Sequence, residues 1–136
     1  MAKNSCCRDG TSFSDALEVP VSSDVLWSTV IDLDSLPQVV SSVVAFERLP
    51  PTKPDDPVAT GMRFRETRRF KNQDVGLMKT VTRLVDSGEE RSLSLGISSD
   101  YASDIENTST LIVRKVDEEN SILILTIAIQ WGGVIA

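Results

Sequence analysis

Residues 62–70 read Met-Arg-Phe-Arg-Glu-Thr-Arg-Arg-Phe, and they hold the side chains best able to do chemistry. Alternation of period two sets Met62, Phe64, Glu66, Arg68 and Phe70 on one face and Arg63, Arg65, Thr67, Arg69 and Lys71 on the other. The first face is the inner one. A carboxylate and a guanidinium on an otherwise apolar face can orient a carbonyl or hydroxyl of a bound molecule, and Glu66 can serve as a general base if burial raises its pKa. The plainer reading, and the favoured one, is that Glu66 and Arg68 satisfy each other or pair with neighbouring strands. The basic face is either a patch for an anionic headgroup or the solvated outside of a sheet whose charges meet Asp and Glu next door. On an acidic protein the second is favoured.

The rest of the search for reactive groups excludes more than it finds. With no histidine, a Ser-His-Asp triad, a Cys-His pair and a histidine-bearing zinc site are all impossible. Cys6 and Cys7 are the only cysteines; as neighbours they strain any bridge between them, and two thiolates do not complete a tetrahedral site. No Gly-rich loop precedes a helix, so no nucleotide cofactor is expected, nor any other. Asp32 with Asp34, and Asp55 with Asp56, are better explained by capping and loop solvation than by a metal. Tyr101 lies in a polar turn from which its hydroxyl can touch a ligand. Trp27 is expected to pack a helix onto the sheet, and Trp131 to end the last strand as a partner anchor or a frayed terminus.

Bulk properties narrow the classes further. The chain has 136 residues, 40% of them hydrophobic, which suffices for one core without staples. Fourteen basic against 20 acidic residues give a net charge of −6, which repels phosphate backbones, so nucleic acid is not an expected partner. The longest apolar run, 122–131, is interrupted by Thr126 and Gln130 and is too short to cross a bilayer. The first eight residues carry no apolar segment, and Ala2 stands where myristoylation needs glycine. A cytoplasmic protein is expected, with a disordered tail over 1–12 and one domain over 13–136.

The elements that must position these residues follow from pattern. A short strand over 13–19 stops at Pro20. Ser22, Ser23 and Asp24 offer caps before Val25, Leu26, Trp27, Val30, Ile31 and Leu33, which form one apolar stripe of a helix. A second, shorter helix is capped by Asp34 or Ser35, with Pro37 in its first turn and Val39 and Val40 facing inward. Residues 43–49 form a strand, and 50–57, with four prolines, a loop. Five strand-like runs follow, over 62–70, 76–85, 91–99, 108–116 and 122–131, joined by short polar turns that make an antiparallel meander. In 76–85 the pattern leaves open whether Leu77, Lys79, Val81, Arg83 and Val85 or Met78, Thr80, Thr82 and Leu84 face inward. The last strand is apolar on both faces and needs cover on both.

Val19-Pro20-Val21-Ser22-Ser23-Asp24-Val25-Leu26-Trp27, Asp32-Leu33-Asp34-Ser35-Leu36-Pro37, and Gly61 through Phe70 with Val81-Thr82 downstream resemble the polyketide cyclase/dehydrase branch of the SRPBCC superfamily. The resemblance covers roughly residues 13–131. It implies an α+β, START-like helix-grip fold, with about seven curved antiparallel strands and two short helices after the first strand. It also implies a cavity for lipids, polyketides, quinones or similar molecules, and in a minority of members a cyclase or related activity. Two departures stand out. No aromatic residue follows Pro37 closely, and the sequence stops at Ala136, where the long C-terminal helix of the superfamily would begin. Such a helix covers on the order of 500 Å² of apolar surface, worth about 10 kcal/mol at about 25 cal/mol per Å². That is comparable with the whole stability of a domain, about 5–15 kcal/mol. Hence either the sequence is a truncated product with an open groove, or a homodimer or other partner covers the sheet.

The expected function is binding or transport of a hydrophobic small molecule, lined by Met62, Phe64, Glu66, Arg68, Phe70 and Tyr101. The alternative is a cyclase/dehydrase-like enzyme with Glu66 as acid/base and Arg68 steadying an enolate. A partner-completed interaction domain is the third.

Overall fold

The computed structural model describes residues 9–99 and 105–131. Cys6, Cys7 and Tyr101 lie outside the described residues. The chain runs β1 (Asp9–Val19), α1 (Ser23–Val30), a 3₁₀ turn (Leu33–Ser35), α2 (Leu36–Val39), β2 (Val43–Arg48), β3 (Arg63–Phe70), β4 (Gln73–Asp86), β5 (Glu90–Ser99), β6 (Ile105–Lys115) and β7 (Ser121–Trp131). The strands form one curved antiparallel sheet in the order β1-β7-β6-β5-β4-β3-β2. This is the expected α+β architecture, with both helices following the first strand.

Local sequence accounts for most boundaries. Pro20 cannot donate to a ladder, so β1 ends at Val19. Its start lies earlier than expected: residues 9–12, read from sequence as tail, pair with 128–131. The Ser22 hydroxyl accepts from the Val25 N–H at 3.2 Å and caps α1, a contribution of about 1 kcal/mol. Lys71 and Asn72, both at positive φ, make the two-residue β3–β4 hairpin, so β4 opens at Gln73 rather than at Gly76.

One sequence expectation fails in α2. Val39 was expected to face inward and is 73% exposed. The helix is a single turn that ends at Val40, and on so short an element only Leu36, with Leu33 before it, reaches the core.

The core lies on the inner face. Phe64, Val81, Leu93, Leu95 and Val113 of the sheet meet Leu26 and Trp27 of α1 and Leu33 after it. Each fully buried apolar side chain contributes about 1.5–3 kcal/mol. Trp27 therefore packs α1 onto the sheet, as its place in the helix stripe predicted. The Ser121 hydroxyl donates to the Val21 carbonyl at 2.9 Å, and Arg91 reaches Asp24 at 2.6 Å, pinning the start of α1 to β7 and β5.

The face of β4 left open by the sequence is settled by the register. Lys79 opposes Phe64, and Val81 opposes Leu95, so Leu77, Lys79 and Val81 face inward. A bulge between Val81 and Arg83 then shifts the phase, and Leu84, opposite Leu93, faces inward too.

Candidate functional site

β3 carries the expected inner residues in the expected alternation, but they occupy different depths. Met62 and Phe64 are buried in the core, where the Phe64 ring stacks on Phe46 of β2 with centroids 5.0 Å apart. Phe70, at the hairpin end of β3, is exposed. Glu66 is fully buried, and Arg68 beyond it keeps 31% of its side chain exposed. Glu66 and Arg68 are brought together directly: Arg68 Nε donates to Glu66 Oε2. The mutual pairing favoured at the sequence level is present.

A third group joins them. Lys79, from the facing position of β4 and itself buried, places Nζ 2.6 Å from Glu66 Oε1. Lys79 was among the inward alternatives for its strand but carried no assigned role, because the bulge two residues later scrambles the alternation that would have placed it.

Burial pulls the Glu66 carboxyl upward, but the hydrogen bonds and charges of Lys79 and Arg68 together outweigh that effect and hold it below its ordinary value. The condition under which Glu66 would serve as a general base, a raised pKa, is therefore not met. The group is a permanent carboxylate at neutral pH. Two cations around one carboxylate leave the cluster one positive charge in excess, and Arg68 presents that charge at the surface.

The inner face changes character across the sheet. α2 packs against β2 and α1 against β6 and the near end of β7, and the core fills the inner face of β3 to β6. The core packing extends as far as Ile97 and Leu123. Beyond them, on β1 and β7, Phe13 is 56% exposed, Leu17 63% and Leu125 37%. Register places all three inward, since Phe13 opposes Ile127, Leu17 opposes Leu123, and Leu125 opposes Leu111. The inner side of β1 and β7 thus leaves Phe13, Leu17 and Leu125 exposed, with the exposed Asp15 between the first two and opposite Leu125. The side chain of Trp131, at the end of β7, is outside the described set.

The outer face is polar where it was expected to be. Arg69 pairs with Asp74 across the hairpin at 2.8 Å, and Arg65 also has a partner. The capping expected of Asp32, Asp34 and Ser35 is not made, since neither the 3₁₀ turn nor α2 has a side-chain cap; instead Asp32 accepts from the Ser35 hydroxyl at 2.6 Å, and Asp34 binds Arg48 at 2.9 Å.

No protein-family model matches the sequence, and no curated protein matches it. Solved structures do match its backbone. The Zhui aromatase/cyclase from Streptomyces sp. R1128 superposes with a TM-score of 0.71 at 11% identity, covering 94% of this chain and 72% of that one. A norcoclaurine synthase point mutant from Thalictrum flavum, in complex with a transition-state analogue, gives a TM-score of 0.73 at 13% identity, covering 93% and 79%. A START superfamily protein from Mycobacterium smegmatis gives 0.68 at 12% identity, covering 92% and 80%. At such identities the likeness is one of backbone alone, and on that basis the chain has the helix-grip fold of the START and SRPBCC proteins.

Proposed function

We propose that the protein binds, and in doing so carries, a hydrophobic small molecule along the inner face of its sheet. The observation that carries this reading is the apolar strip of Phe13, Leu17 and Leu125, which stays exposed on the same face that buries the core. Large apolar side chains left exposed on the face that elsewhere buries the core mark a binding surface. The apolar body of such a ligand lies over β1 and β7. The helix-grip neighbours, among them an aromatase/cyclase and a START superfamily protein, support a hollow-forming scaffold for such a guest.

The test is the affinity for an apolar fluorescent probe. Leu17→Asp puts a charge on the strip without touching the core, so it should weaken the probe by at least about tenfold, equivalent to about 1.4 kcal/mol, while the fold persists. Unchanged affinity in that variant would remove the strip from the site.

The second reading is a cyclase/dehydrase-like enzyme, and it draws on Arg68, whose exposed guanidinium can steady an enolate oxygen. Glu66 serves that reading poorly as acid or base, since its carboxyl is held low by Lys79 and Arg68. Arg68→Met, which leaves the Glu66–Lys79 pair in place, separates the two: a binder keeps its affinity for an apolar guest, whereas an enzyme that rests an enolate on that guanidinium loses turnover by orders of magnitude.

A further inference from the structure

A cavity of about 360 Å³ lies between α1, the 49–62 loop and the end of β4, away from the strip on β1 and β7. Its walls are Trp27, Ile31, Pro57, Val58 and Leu84, and its polar side is Arg48, Asp56 and Asp86. Trp27 and Ile31 stand four residues apart, so they form one continuous side of α1. Small-molecule sites begin at about 300 Å³, so this volume suits one or two rings and not an extended lipid.

The hydrogen-bond accounting decides what chemistry fits. Arg48 is nearly spent: Nε and Nη2 donate to Asp34 at 3.1 and 2.9 Å, and Nη1 donates to the carbonyls of Lys53 and Asp56 at 2.7 Å each. Asp56 Oδ2 accepts from the Lys53 N–H at 2.8 Å, and Asp86 Oδ1 faces Arg91 Nε at 2.9 Å. The second oxygen of each carboxylate has no partner among the described residues, and that of Asp86, whose side chain is 60% exposed, stands at the open mouth of the cavity where a ligand would replace water. The free capacity of the cavity is therefore acceptor capacity, on two anions, beside an indole whose ring face attracts cations.

We propose that this cavity is a second binding site, and that it takes a small apolar amine in its ammonium form. The ring packs against Trp27, Ile31, Val58 and Leu84, and the ammonium donates to Asp86 and Asp56. An organic carboxylate or phosphate of the same shape meets two like charges there and is rejected. This site does not depend on the strip reading above.

Three probes of one shape test it by amide NMR at neutral pH: 2-phenylethylamine, 2-phenylethanol and phenylacetate. The amine should shift Trp27, Ile31, Val58 and Leu84 and bind at least about tenfold tighter than the alcohol, with phenylacetate weakest. Asp86→Asn should erase most of the gap between amine and alcohol and leave the alcohol unchanged. Val58→Trp, which fills the cavity, should abolish binding of all three while the strip on β1 and β7 still takes an apolar probe. Equal affinity for the three probes overturns the proposal. So do amine shifts confined to the inner face of β1 and β7, or full amine binding in Val58→Trp.

Discussion

Glu66 has lost its water and gained two cations, and the balance between those changes sets what it can do. Removing the carboxylate alone leaves Lys79 and Arg68 facing each other without a counter-charge in a largely apolar setting. Glu66→Gln should therefore cost about 3–5 kcal/mol in denaturant unfolding, the usual penalty for breaking a buried pair from one side. Double replacement of Glu66 by Gln and Lys79 by Met should recover a large part of it. The same carboxylate sets a pH dependence. Its folded pKa lies below the ordinary value of 4.5, so its contribution is complete above that value and is lost as pH falls through the lower folded value. The stability gap between wild type and Glu66→Gln should accordingly shrink as pH drops below 4.5, measured by urea midpoints across the acid range. Glu66 and Arg68 were legible in the sequence because β3 keeps an unbroken alternation from Met62 to Phe70. Lys79 was not, because β4 changes phase between Val81 and Arg83, and a strict alternation assigns Leu84 to the wrong side.

At the scale of elements, the 49–62 loop is the segment whose order depends most on one side chain. Arg48 ties it to β2 through the carbonyls of Lys53 and Asp56 and to the 3₁₀ turn through Asp34. Arg48→Met keeps the apolar stem and removes every one of those hydrogen bonds, so limited proteolysis should cut within 49–62 several times faster than in wild type while β3 and β4 stay protected. An unchanged cleavage rate would mean that the prolines alone hold the loop. The order of elements was readable from proline placement and apolar period, and α1 began where Ser22 offered a cap. The end of α2 was not readable, because Val39 and Val40 carry an apolar signal equally consistent with a longer helix and with a turn. The β3–β4 turn was overestimated because Gln73 and Asp74 look like turn residues, whereas Asn72 at positive φ closes the hairpin in two.

For the whole molecule, the sheet is well covered at one end and bare at the other. α2 covers β2, the core and α1 cover β3 to β6 and the near end of β7, and the exposed Phe13, Leu17 and Leu125 are left for something else to cover. If that cover is a second copy of the chain, light scattering coupled to size exclusion will give a dimer that Leu17→Asp converts to monomer. A monomer in both proteins leaves the strip to a small molecule. The strip was foreseeable in outline, since β7 is apolar on both faces and such a strand needs cover on both. Its extent was not, because β1 reads as a weak mixed strand and only pairing with β7 fixes Phe13 and Leu17 on the inner side.

Amide NMR of the labelled protein titrated with 8-anilinonaphthalene-1-sulfonate maps where an apolar guest binds. Saturable shifts are expected at Phe13, Leu17, Leu123, Leu125 and Ile127, and none at Ile122 and Ile124 on the outer face of β7. Saturable binding on that outer face with the inner strip unmoved, or no saturable binding at all, would contradict binding along the inner face of the sheet.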